Sequence, residues 1–337
     1  MTNFSPLDAV KLVPRGIYNY VTNRPLILSL EVTLSCNCNC RHCDLGGMIK
    51  DEKQIKPDDY ARLTRLLNPP VVQISGGEPL LRKDIVDVVK AIKQSNGFTY
   101  LIFVTNGALL NENNYLQLHK AGVNQLSVSL DFPDERHDEF RRRPGLYKRL
   151  ERTVPHLAKF GYHDIILNTA ITKANLKDIL PLTQKAKDWD VSISYSAYTA
   201  LRTGDKGYSI NDGRDLELLR KTIYELIELK KQGNHITNSK AVLLDTLKFF
   251  EQGYMPGCKA GIRFFVIMPD GSFVPCSLHR NKYPNQKEMI KNFSRTNQCD
   301  GCYVSIRSYS DRSLWKLLKD APAHGKRFFA PRSGNYP

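Results

Sequence analysis

Six short apolar runs, each separated from the next by an amphipathic segment, dominate the first 235 residues. The runs are rich in β-branched and aromatic residues and predict strands at 26–32, 71–74, 99–104, 125–130, 165–171 and 191–195. The segments between and after them carry apolar residues at helical spacing and predict helices at 57–67, 83–94, 112–121, 147–160, 176–189 and 214–231. Strand and helix therefore alternate, and nearly continuous apolar strands predict a parallel sheet covered by helices.

The alternating pattern predicts an α/β fold, either a β/α barrel or a doubly wound sheet. Six units are too few for a closed eight-stranded barrel, so we favour a partial (β/α)6 TIM-like barrel over residues 26–235. A helical preamble, with its helix at about 7–21, occupies residues 1–25. We expect ligands at the carboxyl ends of the strands.

The pattern changes after about residue 235. A run at 262–268, the turn Pro269-Asp270-Gly271 and a second run at 272–274 predict a β-hairpin among cysteines. We therefore predict a small C-terminal module over 236–320, followed by a basic tail over 321–337.

Composition narrows the functional classes. The chain has 337 residues, 41% of them hydrophobic, and no apolar run long enough to span a bilayer, and its first residues lack the order of a secretory signal. These features predict a cytoplasmic protein without stable membrane insertion. The net charge is +15, and residues 280–337 hold twelve Lys and Arg against four acidic residues. Such a surface could attract an acidic protein such as a flavodoxin, anionic lipid or nucleic acid, or could be a solvated tail.

The eight cysteines form two groups, which in a reducing compartment indicate metal ligation rather than disulfides. The first group follows the first predicted strand, where Cys36, Cys40 and Cys43 form a C-x3-C-x2-C pattern. Soft thiolates suit zinc or iron–sulfur clusters, but zinc usually takes a fourth protein ligand. Three thiolates on a [4Fe–4S] cluster instead leave one iron open for reaction.

This spacing, on the loop after the first strand, resembles the signature of the radical S-adenosylmethionine (SAM) superfamily. The resemblance implies that SAM chelates the open iron, and that one electron from the cluster cleaves its sulfonium to give a 5′-deoxyadenosyl radical. It also implies a reductant, a flavodoxin or ferredoxin. Cys38 falls outside the required spacing and is interpreted as a non-ligand. His42 resembles an aromatic position beside the SAM adenine, although its ring could simply pack the loop.

Further segments at predicted strand ends extend the resemblance over residues 26–232. A Gly-Gly-Glu-Pro turn resembles the family motif that binds the amine of SAM, and later polar residues resemble contacts to its ribose, carboxylate and adenosine. Asp131 and Arg141 resemble a group around the carboxylate, where Arg supplies paired donors; a solvated helix start explains the segment around Arg141 nearly as well. The predicted cofactor-binding residues, beside His42, are Gly76, Gly77, Glu78, Pro79, Thr105, Asn106, Ser129, Asp131, Arg141 and Asn168.

The second group, Cys258, Cys276, Cys299 and Cys302, offers four thiolates, a number that suits zinc or a [4Fe–4S] cluster equally. Its C-x12-G-x4-C spacing followed by C-x2-C resembles the twitch form of the SPASM domain. The resemblance implies one auxiliary [4Fe–4S] cluster that passes electrons to or from the substrate radical. A zinc ion or cluster that only stabilises the module remains the alternative.

The sequence therefore predicts a radical SAM enzyme that acts on a peptide or a small molecule. A lipid substrate is the second hypothesis, because the segment at 18–30 loosely resembles that of hopanoid-modifying relatives. A third hypothesis is a non-catalytic module with zinc at both cysteine groups and nucleic acid on the basic region, but it leaves the Gly-Gly-Glu-Pro turn without a purpose. Tyr195, Tyr198 and Arg202 lie near the expected pocket without a diagnostic pattern.

Overall fold

A computed structural model describes residues 6–96, 99–233 and 235–317. All six strands predicted in the first 235 residues are present, with boundaries shifted by one or two residues. The strands are β1 (Ile27–Glu31), β2 (Val71–Ser75), β3 (Tyr100–Thr105), β4 (Gln125–Ser129), β5 (Ile165–Ile171), β6 (Ser192–Ala197), β7 (Phe264–Ile267) and β8 (Phe273–Val274). The predicted hairpin is therefore also present, as β7 and β8. The predicted basic tail at 321–337 lies outside the described residues.

The helices lie where the amphipathic segments predict them, with several additions. They are α1 (Pro6–Val21), α2 (Pro57–Leu67), α3 (Ile85–Asn96), α4 (Glu112–Ala121), α5 (Arg136–Arg141), α6 (Leu146–Ala158), α7 (Ile179–Asp188), α8 (Gly213–Gln232), α9 (Lys240–Gln252), α10 (Gln286–Met289) and α11 (Ser305–Ser310). Helix α9 was not predicted, although its ends are well marked. The Ser239 hydroxyl accepts a hydrogen bond from Val242 N, and Gly253 ends the helix with φ at 76°.

The strands form one open sheet in the order β6-β5-β4-β3-β2-β1-β7-β8. Strands β1 to β6 pair in parallel with their neighbours in the sheet; Leu30 of β1, for example, lies beside Ile74 of β2. The α/β fold with a partial, unclosed barrel is confirmed. Because all six carboxyl ends lie at one edge, side chains that are distant in sequence come together there.

The C-terminal hairpin continues this sheet. Strand β7 pairs in parallel with β1, from Ile27 beside Phe264 to Leu30 beside Ile267, and β8 returns antiparallel to β7. Strand β1 is therefore internal to the sheet, and the hairpin brings the C-terminal cysteines to the edge that holds the first group. The domain boundary near residue 235 stays a prediction.

The core lies between the sheet and its helices. Leu28 and Leu30 of β1 are fully buried, and Tyr60 of α2 and Val89 of α3 pack in the same cluster. Within the described residues, no helix is both long enough and apolar enough to cross a membrane.

Replacing Leu28 with Ala should test the importance of β1 for the fold. The side chain is fully buried in an internal strand, so its loss should leave a cavity and lower the free energy of unfolding by about 2–5 kcal/mol. Leu66→Ala is the control, because Leu66 is 64% exposed, and it should change stability by less than about 1 kcal/mol. Urea denaturation followed by circular dichroism measures both. If both variants lost the same free energy of unfolding, the fold would not depend on the burial of Leu28 in β1.

Candidate functional site

A cavity of about 300 Å³ opens at the carboxyl edge of the sheet. Each of the six parallel strands contributes at least one residue to its wall: Glu31, Ser75, Thr105, Ser129, Asn168 and Ala197. Cys36, Cys40 and Cys43 also line it, on the loop that follows β1. The cavity therefore brings together the first cysteine group and the polar ends of the strands, as the sequence predicts.

The cysteine loop is fastened at two places. Cys36 N donates to Gly47 O at 2.8 Å, which closes the loop on itself. Arg41 N donates to Phe140 O at 2.9 Å, which fixes the middle of the loop to helix α5. The His42 ring stacks on Phe140 with centroids 4.7 Å apart. These backbone hydrogen bonds fix the position of the loop beside the cavity.

Cys38 differs from its neighbours in the loop. It is buried but does not line the cavity, and it hydrogen-bonds with Cys36 and Cys40. Those hydrogen bonds lower the pKa of Cys36 to about 6 and that of Cys40 to about 7, and they raise the pKa of Cys38 far above its ordinary value. Burial raises the pKa of Cys43. Of the four thiols in this loop, Cys38 alone does not line the cavity, which supports reading it as a non-ligand.

Two polar side chains approach the sulfur atoms from behind. Asn106 Nδ2 lies 3.8 Å from Cys36 Sγ, and Arg141 Nη1 lies 3.7 Å from Cys40 Sγ. Donors so placed stabilise negative charge on sulfur, and hydrogen bonds to ligand sulfurs tune an iron–sulfur cluster.

The two glycines of the Gly-Gly-Glu-Pro turn allow the backbone after β2 to approach the backbone after β1. A Cβ at Gly76 would lie 2.1 Å from Thr33 O, and one at Gly77 would lie 2.1 Å from Ser35 O. Gly76 also has φ at 130°, a conformation that other residues rarely adopt. Gly77 N donates to Thr33 O at 2.7 Å, which locks the two loops together. Both glycines line the cavity.

Glu78 and Pro79 lie behind the cavity wall rather than in it. The Glu78 carboxylate is fully buried, and it accepts hydrogen bonds from Thr105 Oγ1 at 2.8 Å, Asn106 N at 2.7 Å and Leu80 N at 3.1 Å. Burial raises its pKa to about 7, although these three donors act in the opposite direction. By resemblance, the Gly-Gly-Glu-Pro turn that contains Glu78 is expected to bind the SAM amine. In the structure, the Glu78 carboxylate ties the end of β3 to the glycine turn.

Asp131 and Arg141 form a buried pair. Arg141 Nη2 lies 2.6 Å from Asp131 Oδ2, and Asp131 N donates to His137 Nδ1 at 3.1 Å. Burial raises the pKa of Asp131, but the Arg141 guanidinium, His42 and His137 together outweigh it and the net pKa is lowered. Burial also lowers the pKa of His42 to about 4 and that of His137 to about 3, so both imidazoles are neutral near pH 7. Both members of the Asp131–Arg141 pair line the cavity, and the pair joins β4 to α5 and the cysteine loop.

The donor set suits the group that the sequence predicts. Within the described residues, no three His, Cys, Asp or Glu side chains converge to hold a single metal ion. A [4Fe–4S] cube binds each thiolate through a different iron, so its ligands surround it rather than meet at one point. The cavity also contains a buried acceptor, Asn168 Oδ1, which has no hydrogen-bond partner among the described residues. A bound polar molecule with a donor would satisfy it.

The second cysteine group borders the same cavity. Burial raises the pKa of Cys258 to about 11 and that of Cys276 to about 12; Asp311 adds to the shift at Cys258, and Cys302 adds to both shifts. Three residues beside the group line the cavity: Ser277 and Leu278 next to Cys276, and Val304 two residues after Cys302.

Arg307 holds the polypeptide around Cys302. Its fully buried guanidinium donates to the carbonyls of Met255 and Cys302 at 2.5 Å, and Nη1 lies 3.9 Å from Cys302 Sγ. Asp311 pairs with Arg307 Nε at 2.9 Å and accepts a hydrogen bond from Lys259 N. The chain on both sides of Cys258 is thereby tied to the segment that carries Cys302.

Sequence reasoning missed Glu31, which ends β1, is 2% exposed and lines the cavity; its charge within the apolar run at 26–32 was the available signal. Arg202 follows β6 and lines the cavity beside Tyr198, whereas the hydroxyl of Tyr195 is turned away to Thr183 at 2.6 Å. The C-terminal contribution of Ser277 and Leu278 depends on the pairing of β7 with β1, which sequence periodicity does not reveal.

Residues 30–185 match the family model described as the radical SAM superfamily. Among curated proteins, the AdoMet-dependent heme synthase of Methanosarcina barkeri is 27% identical over 280 residues, which cover 76% of this chain and 78% of that protein. The probable GTP 3′,8-cyclase of Methanothermobacter marburgensis is 31% identical over 154 residues, which cover 44% of this chain and 50% of the relative. This second match thus spans half of the relative's length.

Solved structures share the fold. Streptococcus suis SuiB bound to S-adenosylmethionine superposes with a TM-score of 0.59 at 20% identity, covering 91% of this chain and 68% of SuiB. The protein anSMEcpe with bound AdoMet gives a TM-score of 0.58 at 19% identity, covering 90% of this chain and 84% of anSMEcpe.

Replacing Gly77 with Ala should test the close approach of the two loops. The added Cβ would meet the Ser35 carbonyl, so the cysteine loop or the turn must move, and we expect SAM affinity to fall by about tenfold or more. Gly213→Ala is the matched control, because open space surrounds Gly213 at the start of α8, and it should leave affinity unchanged. Equilibrium dialysis with labelled SAM measures both. If Gly77→Ala bound SAM as tightly as the parent protein, the close approach of the two loops at Gly77 would not matter for the SAM site.

Proposed function

Because this chain is an enzyme of the radical SAM superfamily, we propose that its cavity is where SAM is cleaved and where a hydrogen atom is taken from a small molecule or a peptide. One observation carries the proposal. The three cysteines of the C-x3-C-x2-C pattern, the glycine turn and the polar strand ends all line one cavity at the carboxyl edge of the sheet.

Cys36, Cys40 and Cys43 would hold the [4Fe–4S] cluster. When bound, the cluster supplies the electron that cleaves SAM, and its open iron is the corner that the chain leaves without a thiolate. Asn106 and Arg141 direct donors at two of the sulfurs and so stabilise them as thiolates. Cys38 does not line the cavity, so three thiols of the loop remain as ligands.

The remaining cavity residues would bind and orient SAM. The backbone of Gly76 and Gly77 forms one wall, and Glu78 keeps that wall in position from behind rather than contacting the ligand. Ser129 and the unpartnered Asn168 Oδ1 offer polar atoms on the opposite strands. His42, neutral and stacked on Phe140, offers a flat face at the rim. A fixed geometry of this kind excludes water and limits where the radical can react.

The four C-terminal cysteines would hold an auxiliary [4Fe–4S] cluster. Ser277, next to Cys276, and Val304, two residues after Cys302, line the cavity, so the second group would lie close to the bound substrate. Four protein ligands leave no open iron, which makes electron transfer with the substrate the role that suits this site. Zinc in the same ligands would instead only stabilise the segment.

A small-molecule substrate has the better support. The curated relatives are named as a heme synthase and a probable GTP cyclase, so both names refer to small molecules. For the electron donor we propose a flavodoxin or ferredoxin, because a net charge of +15 favours an acidic partner.

Replacing Cys40 with Ala should abolish SAM cleavage, because two thiolates remain for the cluster. Cys38→Ala is the matched control: it removes a thiol from the same loop, and we expect cleavage to persist. The measurement is release of 5′-deoxyadenosine from SAM in the presence of dithionite, with anaerobically reconstituted protein. Retained cleavage in Cys40→Ala, or equal loss in both variants, would refute the ligand assignment.

Replacing Cys299 with Ala should separate the two clusters. We expect iron per chain to fall from about eight toward about four, with part of the SAM cleavage retained and product formation from the substrate lost. Iron, sulfide and zinc analysis of anaerobically purified protein measures the metal content directly. About four irons and one zinc in the unmodified protein would show that the second site is structural.

A further inference from the structure

Arg202 presents an unused hydrogen-bonding group to the cavity. Its Nε donates to Asp44 Oδ1 at 2.5 Å, but its two terminal nitrogens have no partner among the described residues. The side chain is 25% exposed and lines the cavity near Cys43. A guanidinium whose outer edge is free is arranged to take a planar or tetrahedral oxyanion through paired hydrogen bonds.

A second arginine lies beside it. Arg280 Nε is 4.0 Å from Asp44 Oδ2 and donates to Ser277 O at 3.1 Å, so Asp44 lies between the two guanidinium groups. Arg280 Nη2 is buried, forms no hydrogen bond among the described residues, and lies 3.5 Å from Glu31 Oε2. Asp44 and Glu31 therefore balance the charges of the two arginines. Recognition of an anion here depends on hydrogen-bond donors that have no partner, rather than on an excess of positive charge.

The position of Arg202 is fixed from two sides. It ends the short 3-10 turn Ala200–Arg202, in which the Thr199 hydroxyl accepts from Leu201 N. Thr199 Oγ1 also donates to Gly301 O at 2.8 Å, and Gly301 lies between Cys299 and Cys302. The guanidinium is thus held between the cysteine loop and the C-terminal cysteine segment.

The family match indicates which ligand this group serves. The match to the superfamily covers residues 30–185, which include every predicted contact to SAM. Arg202 and Arg280 lie outside that segment, as do Tyr198, Ser277 and Leu278 on the cavity wall. Chemistry common to the family thus belongs to the matched segment, and the residues outside it are available to recognise the substrate.

We infer that Arg202, supported by Asp44 and Arg280, forms a subsite that binds a carboxylate or phosphate group of the substrate beside the SAM cavity. This inference rests on the proposed function and deepens it, because it assigns the substrate to the class of anionic molecules.

Isothermal titration of the anaerobically reconstituted, SAM-saturated enzyme tests the subsite with inorganic phosphate and acetate at constant ionic strength. We expect saturable binding of at least one anion; the one that binds more tightly tells whether the substrate group is a phosphate or a carboxylate.

Arg202→Gln should weaken that binding by about tenfold or more, because a charged pair of hydrogen bonds is lost. Arg202→Lys should recover only part of it, since Lys lacks the planar fork. Arg62→Gln, at a 68% exposed side chain on α2, is the control and should bind as the parent does.

Asp44→Asn gives a result that a merely structural role would not produce. Asn at position 44 keeps an oxygen acceptor for Arg202 Nε but removes a negative charge beside the subsite, so anion binding should tighten, and unchanged or weaker binding would count against the subsite. The subsite is also refuted if the parent enzyme binds neither anion, if Arg62→Gln loses as much affinity as Arg202→Gln, or if Arg202→Gln loses SAM affinity to the same extent. Iron content and SAM cleavage are measured on the same preparations. Absence of cleavage in the parent contradicts the proposed function, whereas cleavage without anion binding overturns the subsite alone.

Discussion

The close approach of two backbone segments, after β1 and after β2, is the contact on which the site depends. Gly77 N donates to Thr33 O and Glu78 N donates to Ser35 O, in a space that no Cβ at Gly76 or Gly77 could enter. Cys36 follows directly from this junction. Because β1 is internal to the sheet, with β2 on one side and β7 on the other, the cysteine loop starts from a strand that is held on both edges.

Buried polar groups fix the positions of the strand ends on the other sides of the cavity. Glu78 ties β3 to the glycine turn, and the Asp131–Arg141 pair ties β4 to the cysteine loop. Burying charges costs free energy that their mutual attraction offsets only in part, so such groups contribute position more than stability. In sequence, Glu78 and Arg141 resemble residues that contact SAM. In the structure, both are bonded to other groups of the protein. They fix the backbone and sulfur atoms that would contact the cofactor.

The cavity lies between the two parts of the chain that carry the cysteines. The segment that matches the superfamily supplies the first group and the strand ends, and residues beside the second group line the same cavity. In the proposed function, an electron passes between an auxiliary cluster at the second group and a substrate bound in the cavity. Arg202, between the cysteine loop and the C-terminal segment, lies where an anionic substrate would contact both parts of the chain.

The sequence by itself determined the repeating elements and the chemistry of the first cysteine group. The six barrel strands and the helices between them follow from local periodicity, and the C-x3-C-x2-C spacing lies within one loop, so both can be recognised without long-range contacts. The pairing of β7 with β1 and the place of Glu31 in the cavity were decided by tertiary structure alone, whereas helix α9 has local end signals at Ser239 and Gly253 and Arg202 was already expected near the pocket. The physical reason is that hydrogen bonds between distant strands, and the burial they cause, leave no periodic trace in the chain. The same reason explains why Glu78, a ligand contact by resemblance, is a buried support: its partners Thr105 and Asn106 reach it only when β2 and β3 pair.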